Sequence, residues 1–286
     1  MYGASRAGYR RYSRYVAIGD SQTEGLWDGD DVAGLVGFAD RFAAMVDAHH
    51  PGLQYANLAI RGKLVADVLH EQVPQALAMR PDLVTVCVGM NDVIQPGRKF
   101  GRAVVNLDSI YTALAESGAT VITTTFPNVA ELVPLGRIVS PRVARMNTII
   151  RTAAARHGFA LVDLYTAACM RDAENWTMDR FHASTRGHML FAAAAAEAIN
   201  LPGSNHDWAE ATSVPAPLSI RSRAYEQLRW TQDLFMPWFW RRLRGYSSAH
   251  GRVPKRPQLE LLEAHSEHAA NGVPAHIHRR SGILFP

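Results

Sequence analysis

Four short segments of this chain carry side chains suited to acyl transfer: Gly19-Asp20-Ser21-Gln22, Arg61-Gly62, Gly89-Met90-Asn91-Asp92 and Asp179-Arg180-Phe181-His182. A serine hydroxyl is a weak nucleophile and must lose its proton to a base as it attacks a carbonyl. His182 can take that proton. Asp179, three residues earlier, can hold the other ring nitrogen in the productive tautomer. The tetrahedral intermediate places negative charge on the former carbonyl oxygen, which calls for hydrogen-bond donors. The backbone N–H groups of Ser21 and Gly62 and the side-chain amide of Asn91 would supply them. Each segment alone is ordinary: Gly-Asp-Ser makes capped turns, Asn-Asp is common turn chemistry, and a lone histidine is usually structural. As a set they are expected to form one site. Ser21, Asp179 and His182 would be its catalytic residues, and Ser21, Gly62 and Asn91 its oxyanion hole.

Such a set can meet only if the segments lie at one edge of a sheet. Tyr15–Ile18, Leu53–Ala59, Leu83–Val88, Thr120–Thr125 and Ala160–Val162 are short, apolar or β-branched, and bounded by turn residues. Their apolarity is continuous, as expected of parallel strands buried on both faces. Helical patterns separate them: Phe38–His49, Leu64–Ala78, Arg102–Ser117, a helix opened by Ser140-Pro141 and closed by Gly158, and Thr185–Ile199 behind Ser184. The alternation predicts an α/β fold, a three-layer αβα sandwich around a parallel sheet. Ligands on such sheets bind beyond the carboxyl ends of the strands, which is where the four segments fall.

The sequence divides into a basic arm (1–14), the α/β domain (15–203), a helical extension (204–246) and a tail (247–286) expected to be disordered. In the extension, Tyr225, Leu228, Phe235 and Phe239 have near-helical spacing. Trp208, Trp230, Trp238 and Trp240 accompany an Arg241–Arg244 cluster. That combination suits weak contact with an anionic membrane surface, or packing against the α/β body or a second copy. Two loops, 23–35 and 127–138, are apolar enough to line a site for an acyl chain or to pack on the sheet edge.

Residues 1–200 carry 19 basic and 19 acidic side chains, so residues 201–286 hold the whole net charge of +4. A neutral body argues against nucleic acid as its ligand. Two cysteines, Cys87 and Cys169, are too few for a disulfide framework. No stretch reaches the roughly 20 apolar residues of a membrane span. No apolar segment follows the basic residues of Met1–Tyr15, so a cytoplasmic location is expected.

The four segments resemble the blocks of the GDSL-type or SGNH hydrolases, and the resemblance spans most of residues 13–200. It matches Ser21 to the nucleophile, Gly62 and Asn91 to oxyanion donors, and Asp179 with His182 to the Asp-x-x-His pair. It implies a flavodoxin-like sheet and cofactor-free hydrolysis of carboxylic esters or thioesters. Gln22 stands where the name-giving motif has leucine, and Met90 replaces a smaller residue. Three readings compete with that of a serine esterase. One is a lysophospholipid or acyl-lipid hydrolase docked by its tail. Another is a non-catalytic scaffold. The third is a metal site built from Asp20, Asn91, Asp92 and His182, for which further His and Asp ligands are not evident. The Gly-x-Ser-x-Gly elbow of the α/β-hydrolases is absent.

Overall fold

The computed structural model describes residues 10–30, 32, 34–95, 99–133, 136–211, 229 and 249–262. Strand β1 (Arg14–Gly19) is followed by the small antiparallel hairpin β2 (Gly29–Asp30) and β3 (Gly34–Leu35). Then come β4 (Gln54–Asn57), β5 (Leu83–Cys87), β6 (Thr120–Thr124) and β7 (Ala160–Val162). These four and β1 pair in parallel in the order β4-β1-β5-β6-β7, the flavodoxin-like arrangement. Four of them fall within the apolar runs of the sequence, and β1 extends its run by one residue at each end. The order turns back between β1 and its two neighbours, so the carboxyl ends of β1 and β5 flank the crevice where ligands bind in such sheets.

The helices, in chain order, are α1 (Ser21–Glu24), α2 (Phe38–His49), α3 (Val65–Asp67), α4 (Val73–Ala78) and α5 (Met90–Ile94). They continue with α6 (Phe100–Glu116), α7 (Val129–Leu132), α8 (Gly136–His157) and α9 (Thr185–Ala198). Alternation along β1 feeds two cores. Tyr15 and Ala17 face α2 and α9, meeting Phe38, Phe42 and Phe191; Val16 and Ile18 face α6 and α8, meeting Leu107, Ile110 and Met146. α9 starts as Ser184 implied, its hydroxyl accepting from Gly187 N–H. α8 differs: it begins at Gly136, a turn before the predicted Ser140-Pro141 start. A proline removes only one helical donor, and Ser140 Oγ donates to the Gly136 carbonyl at 2.8 Å.

The tail departs most from expectation. Beyond residue 211 the helical extension falls outside the described residues but for Arg229, as does everything beyond 262. Residues 256–261, expected to be disordered, instead form strand β8 (Arg256–Leu261), antiparallel to β4 at the sheet edge. The backbone of β4 would otherwise present unpaired N–H and C=O groups there, and covering that edge outweighs the polar, Pro-containing composition of β8. Trp208 is no surface anchor: it is buried, and its indole donates to Glu197 of α9.

Just before β8, Lys255 reaches into the body. Its ammonium donates to the carbonyls of Glu24 and Leu35 at 2.6 and 3.0 Å and to the Asp40 carboxylate at 2.5 Å. The C-terminal strand therefore tethers the end of α1, the hairpin and the start of α2. Lys255→Met keeps the aliphatic stem but removes the donor. It is expected to destabilise the protein by about 1.5–3 kcal/mol, the range for a hydrogen bond to a charged group. Urea unfolding checks this; an unchanged midpoint would show that the tether contributes nothing.

Candidate active site

The turn after β1 is over-determined. Gly19 has φ +151°, and a Cβ there would lie 2.2 Å from the Cys87 carbonyl oxygen, so no side chain fits. Its N–H donates to the buried Gln72 side chain at 2.8 Å, and the same amide donates back to the Gly19 carbonyl at 2.9 Å. Gln72 ends a π-helical turn, Val68–Gln72, between α3 and α4. Asp20 caps α1 through the Gln22 N–H, and Gly25 closes it in the left-handed conformation. One turn of helix therefore presents Ser21 beyond the sheet. Asn57 donates to the Thr23 carbonyl at 2.9 Å, and Glu24 accepts from both the backbone and guanidinium of Arg61 at 2.8 and 2.9 Å. These contacts bind α1 to the segment following β4.

The loop between β7 and α9 closes on itself through Thr177 N–H to the His182 carbonyl at 2.9 Å. It is fastened to α1 by Gln22, whose amide donates to the Phe181 carbonyl at 2.8 Å and accepts from Ala183 N–H at 3.2 Å. Both bonds flank His182. As a result His182 Nε2 lies 2.7 Å from Ser21 Oγ, and His182 Nδ1 lies 2.7 Å from Asp179 Oδ2. Asp179 Oδ1 accepts from Thr177 Oγ1 and from the backbone N–H groups of Phe181 and His182. Its Oδ2 also accepts from the Trp27 indole at 3.0 Å. Trp27 adopts φ +74°, a strained conformation for a bulky residue, while holding that bond.

Asn91 follows β5, at the start of α5. Its amide donates to the Lys63 carbonyl at 3.1 Å and more weakly to Asp20 Oδ2 at 3.3 Å. Gly62 is buried in the turn after β4 with φ +79°, adjacent to that carbonyl. Ser21, Asn91, Asp179 and His182 all open on one cavity of about 230 Å³; Gly62 lies outside its lining. Sequence reading passed over Gln72 and Glu24, and Trp27 it placed only in the loop 23–35. Gln22 it registered only as a motif variant. Among the described residues no group of three His, Cys, Asp or Glu side chains is arranged to hold a metal ion, and no helix is long and apolar enough to cross a membrane.

The charges are tuned by burial and by one another. Burial alone would raise the Asp179 carboxyl, but the charge and hydrogen bonds of His182 hold it well below the usual carboxylate range. Burial pulls His182 down; the Asp179 carboxylate, then Asp20, more than compensate, so His182 is raised above its ordinary value. Asp20 is pushed up to about 7, first by burial, with Asp92 adding to the rise and the Gln22 N–H and His182 opposing it. Burial also pushes the Cys87 thiol up to about 12, so the cysteine in the cavity wall stays protonated.

Fold and site together define a hydrolase-like αβα sandwich with a hydrogen-bonded Ser–His–Asp row at the strand ends. Residues 17–190 match the model of the GDSL-like lipase/acylhydrolase family, and the chain belongs to that family. It is accordingly a carboxylic ester hydrolase. No curated protein matches it. Solved structures share the fold. An α/β hydrolase enzyme, LAE5, from the metagenome of Lake Arreo, Spain, is 23% identical with a TM-score of 0.56, covering 66% of this chain and 95% of its own. Axe2, an acetylxylan esterase from Geobacillus stearothermophilus, is 21% identical with a TM-score of 0.54, covering 68% and 95%.

Two expectations follow from the geometry. Gln22→Ala frees the loop that carries His182, and misplacement on the scale of 1 Å costs on the order of 10²-fold. A fall in kcat/KM of about 10- to 100-fold on p-nitrophenyl butyrate is expected, with thermal unfolding nearly unchanged; undiminished kcat/KM would show that Gln22 does not position His182. The second concerns Asp20. Its carboxyl binds a proton more tightly folded than unfolded, so it lowers stability as pH rises from about 4 to about 7. Asp20→Asn cannot ionise. Its stability relative to wild type is expected to improve by roughly 2–4 kcal/mol between pH 4 and pH 8. Urea denaturation at the two pH values measures the gap, and a gap that does not change with pH contradicts the assignment.

Proposed function

We propose that this protein hydrolyses a small carboxylic ester or thioester through a covalent acyl-enzyme, with Ser21 as the nucleophile. The observation that carries the reading is the unbroken row from Ser21 Oγ through the His182 ring to Asp179 Oδ2, with both hydrogen bonds 2.7 Å. In the first half-reaction Ser21 Oγ attacks the carbonyl carbon while its proton passes to His182 Nε2. The resulting imidazolium is stabilised by Asp179, which also fixes the tautomer. His182 then gives that proton to the departing alcohol or thiol. In the second half-reaction water attacks the acyl-serine, loses a proton to His182, and the acid leaves as Ser21 Oγ recovers it.

The oxyanion would be met by the N–H groups of Ser21 and Gly62 and by the Asn91 amide. The link of Asn91 to the Lys63 carbonyl supports this, because it draws the segments after β4 and β5 together beside Ser21. The longer bond from Asn91 to Asp20 is the one an arriving oxyanion would replace. Cys87 is no rival nucleophile at neutral pH, since its thiol stays protonated.

Ser21→Ala is expected to lower kcat by about 10⁴-fold or more, and adding His182→Ala should cost little further, because the two act as a unit. Asn91→Ala should lower kcat by about 10²–10³-fold. Ester hydrolysis surviving in purified Ser21→Ala would end the proposal. The base must be neutral, so kcat/KM is expected to rise with pH through a midpoint above the ordinary histidine value of 6.5, and Asp179→Asn should move that midpoint down. A pH–rate profile with no such limb would contradict the role given to His182.

A further inference from the structure

We propose that the cavity beside Ser21 receives an unbranched acyl chain of about six to eight carbons, so that medium-chain acyl esters or thioesters are the preferred substrates. This rests on Ser21 being the nucleophile. The first argument is the distribution of polarity. Ser21, Asn91, Asp179 and His182 cluster together, whereas the remaining wall is formed largely by Met90, Ile94, Phe126, Val129, Leu132 and Trp176. Gln22 and Arg180, the residue after Asp179, also line the cavity; the polar groups on its apolar side are already engaged. Thr125 Oγ1 donates to Asp163 at 2.7 Å, Thr124 Oγ1 donates to the Cys87 sulfur at 3.4 Å, and the Trp176 indole donates to the Met170 carbonyl at 2.9 Å. A sugar hydroxyl or a charged headgroup placed there would lose its water without gaining a partner. A hydrocarbon chain loses nothing.

The second argument is size. A volume of about 230 Å³, at about 30 Å³ per water-sized group, holds roughly seven or eight heavy atoms. An acetyl group would leave most of it empty. The third argument is direction. The leaving alcohol or thiol must sit on the His182 side to be protonated and must then escape, while the acyl group stays on Ser21 through the second half-reaction. The apolar wall of the cavity therefore suits the acyl part. α7 supplies Val129 and Leu132 to this wall, and the loop 23–35 supplies Trp27, so both segments contribute to the site lining, while Val129 and Val133 also pack in the core.

The test is a set of p-nitrophenyl esters with straight acyl chains from two to sixteen carbons, run on the full chain beside a set of acetyl esters of straight-chain alcohols. Each buried methylene should raise kcat/KM by about three- to fourfold until the cavity is full, giving an optimum at six to eight carbons and a decline beyond. Leu132→Trp should move the optimum to shorter chains. An optimum at acetyl, indifference to acyl length, or dependence on the alcohol chain alone would overturn the proposal, and these wild-type readings stand even if the variant fails to fold. Labelling with a fluorophosphonate separates the two levels. Ser21 labelled with an acetyl optimum defeats the acyl-chain assignment alone, whereas no labelling and no hydrolysis of any ester defeats the reading of Ser21 beneath it.

Discussion

A hydrogen bond of 2.7 Å joins Ser21 to His182, residues 161 positions apart in the chain. Such a contact demands that two segments with no covalent reason to meet be held within a few tenths of an ångström. The fold meets this demand in stages. The parallel sheet brings the carboxyl ends of its strands to one edge, which sets the neighbourhood. Gln72, by pairing with both backbone groups of Gly19, fixes where β1 ends. Gln22 then spans the last gap, gripping the backbone on either side of His182 from the residue next to Ser21. Each stage works at a shorter range than the one before it.

That precision has an energetic cost concentrated in the same few residues. Asp20 is buried at the mouth of the site with Asp92 near it, and its charged form is disfavoured enough that its carboxyl titrates near neutrality. Trp27 keeps a backbone conformation that most side chains avoid, and in return its indole steadies the carboxylate that orients His182. Strain and unfavourable charge gathered at a reactive centre are offset by the well-packed layers on both sides of the sheet, where Phe38, Phe42, Leu107 and Ile110 are fully or almost fully buried. β8 and Lys255 extend this support from the far end of the chain, gripping the end of α1 and the hairpin behind it.

Much of this was legible in the sequence, for identifiable reasons. Parallel strands buried on both faces leave apolar or β-branched runs, as β1, β5, β6 and β7 do; β4, Gln-Tyr-Ala-Asn, is half polar and is legible only with its apolar flanks. Ser21, Asn91, Asp179 and His182 stand out because reactive side-chain types recur just beyond such runs or at their return loop. Strand order left no such trace, because it depends on crossovers and not on local pattern. β8 was missed because Arg-Pro-Gln-Leu-Glu-Leu is too polar to read as a strand; its partner, the open edge of β4, exists only once the sheet has formed. The same holds for Gln22, Gln72 and Lys255. Their side chains are unremarkable by type, and their importance lies wholly in which distant backbone groups they reach.

The central claim is that Ser21 forms a bond to the acyl group during turnover. It is tested most directly by acid-quenching the enzyme within the first turnovers of an activated ester and mapping the mass of its peptides. The account predicts a peptide containing Ser21 that is heavier by the acyl group less one hydrogen, and no such gain when His182 is replaced by alanine. Turnover with the acyl mass on another residue, or Ser21 left unmodified under conditions where deacylation is rate-limiting, would contradict it.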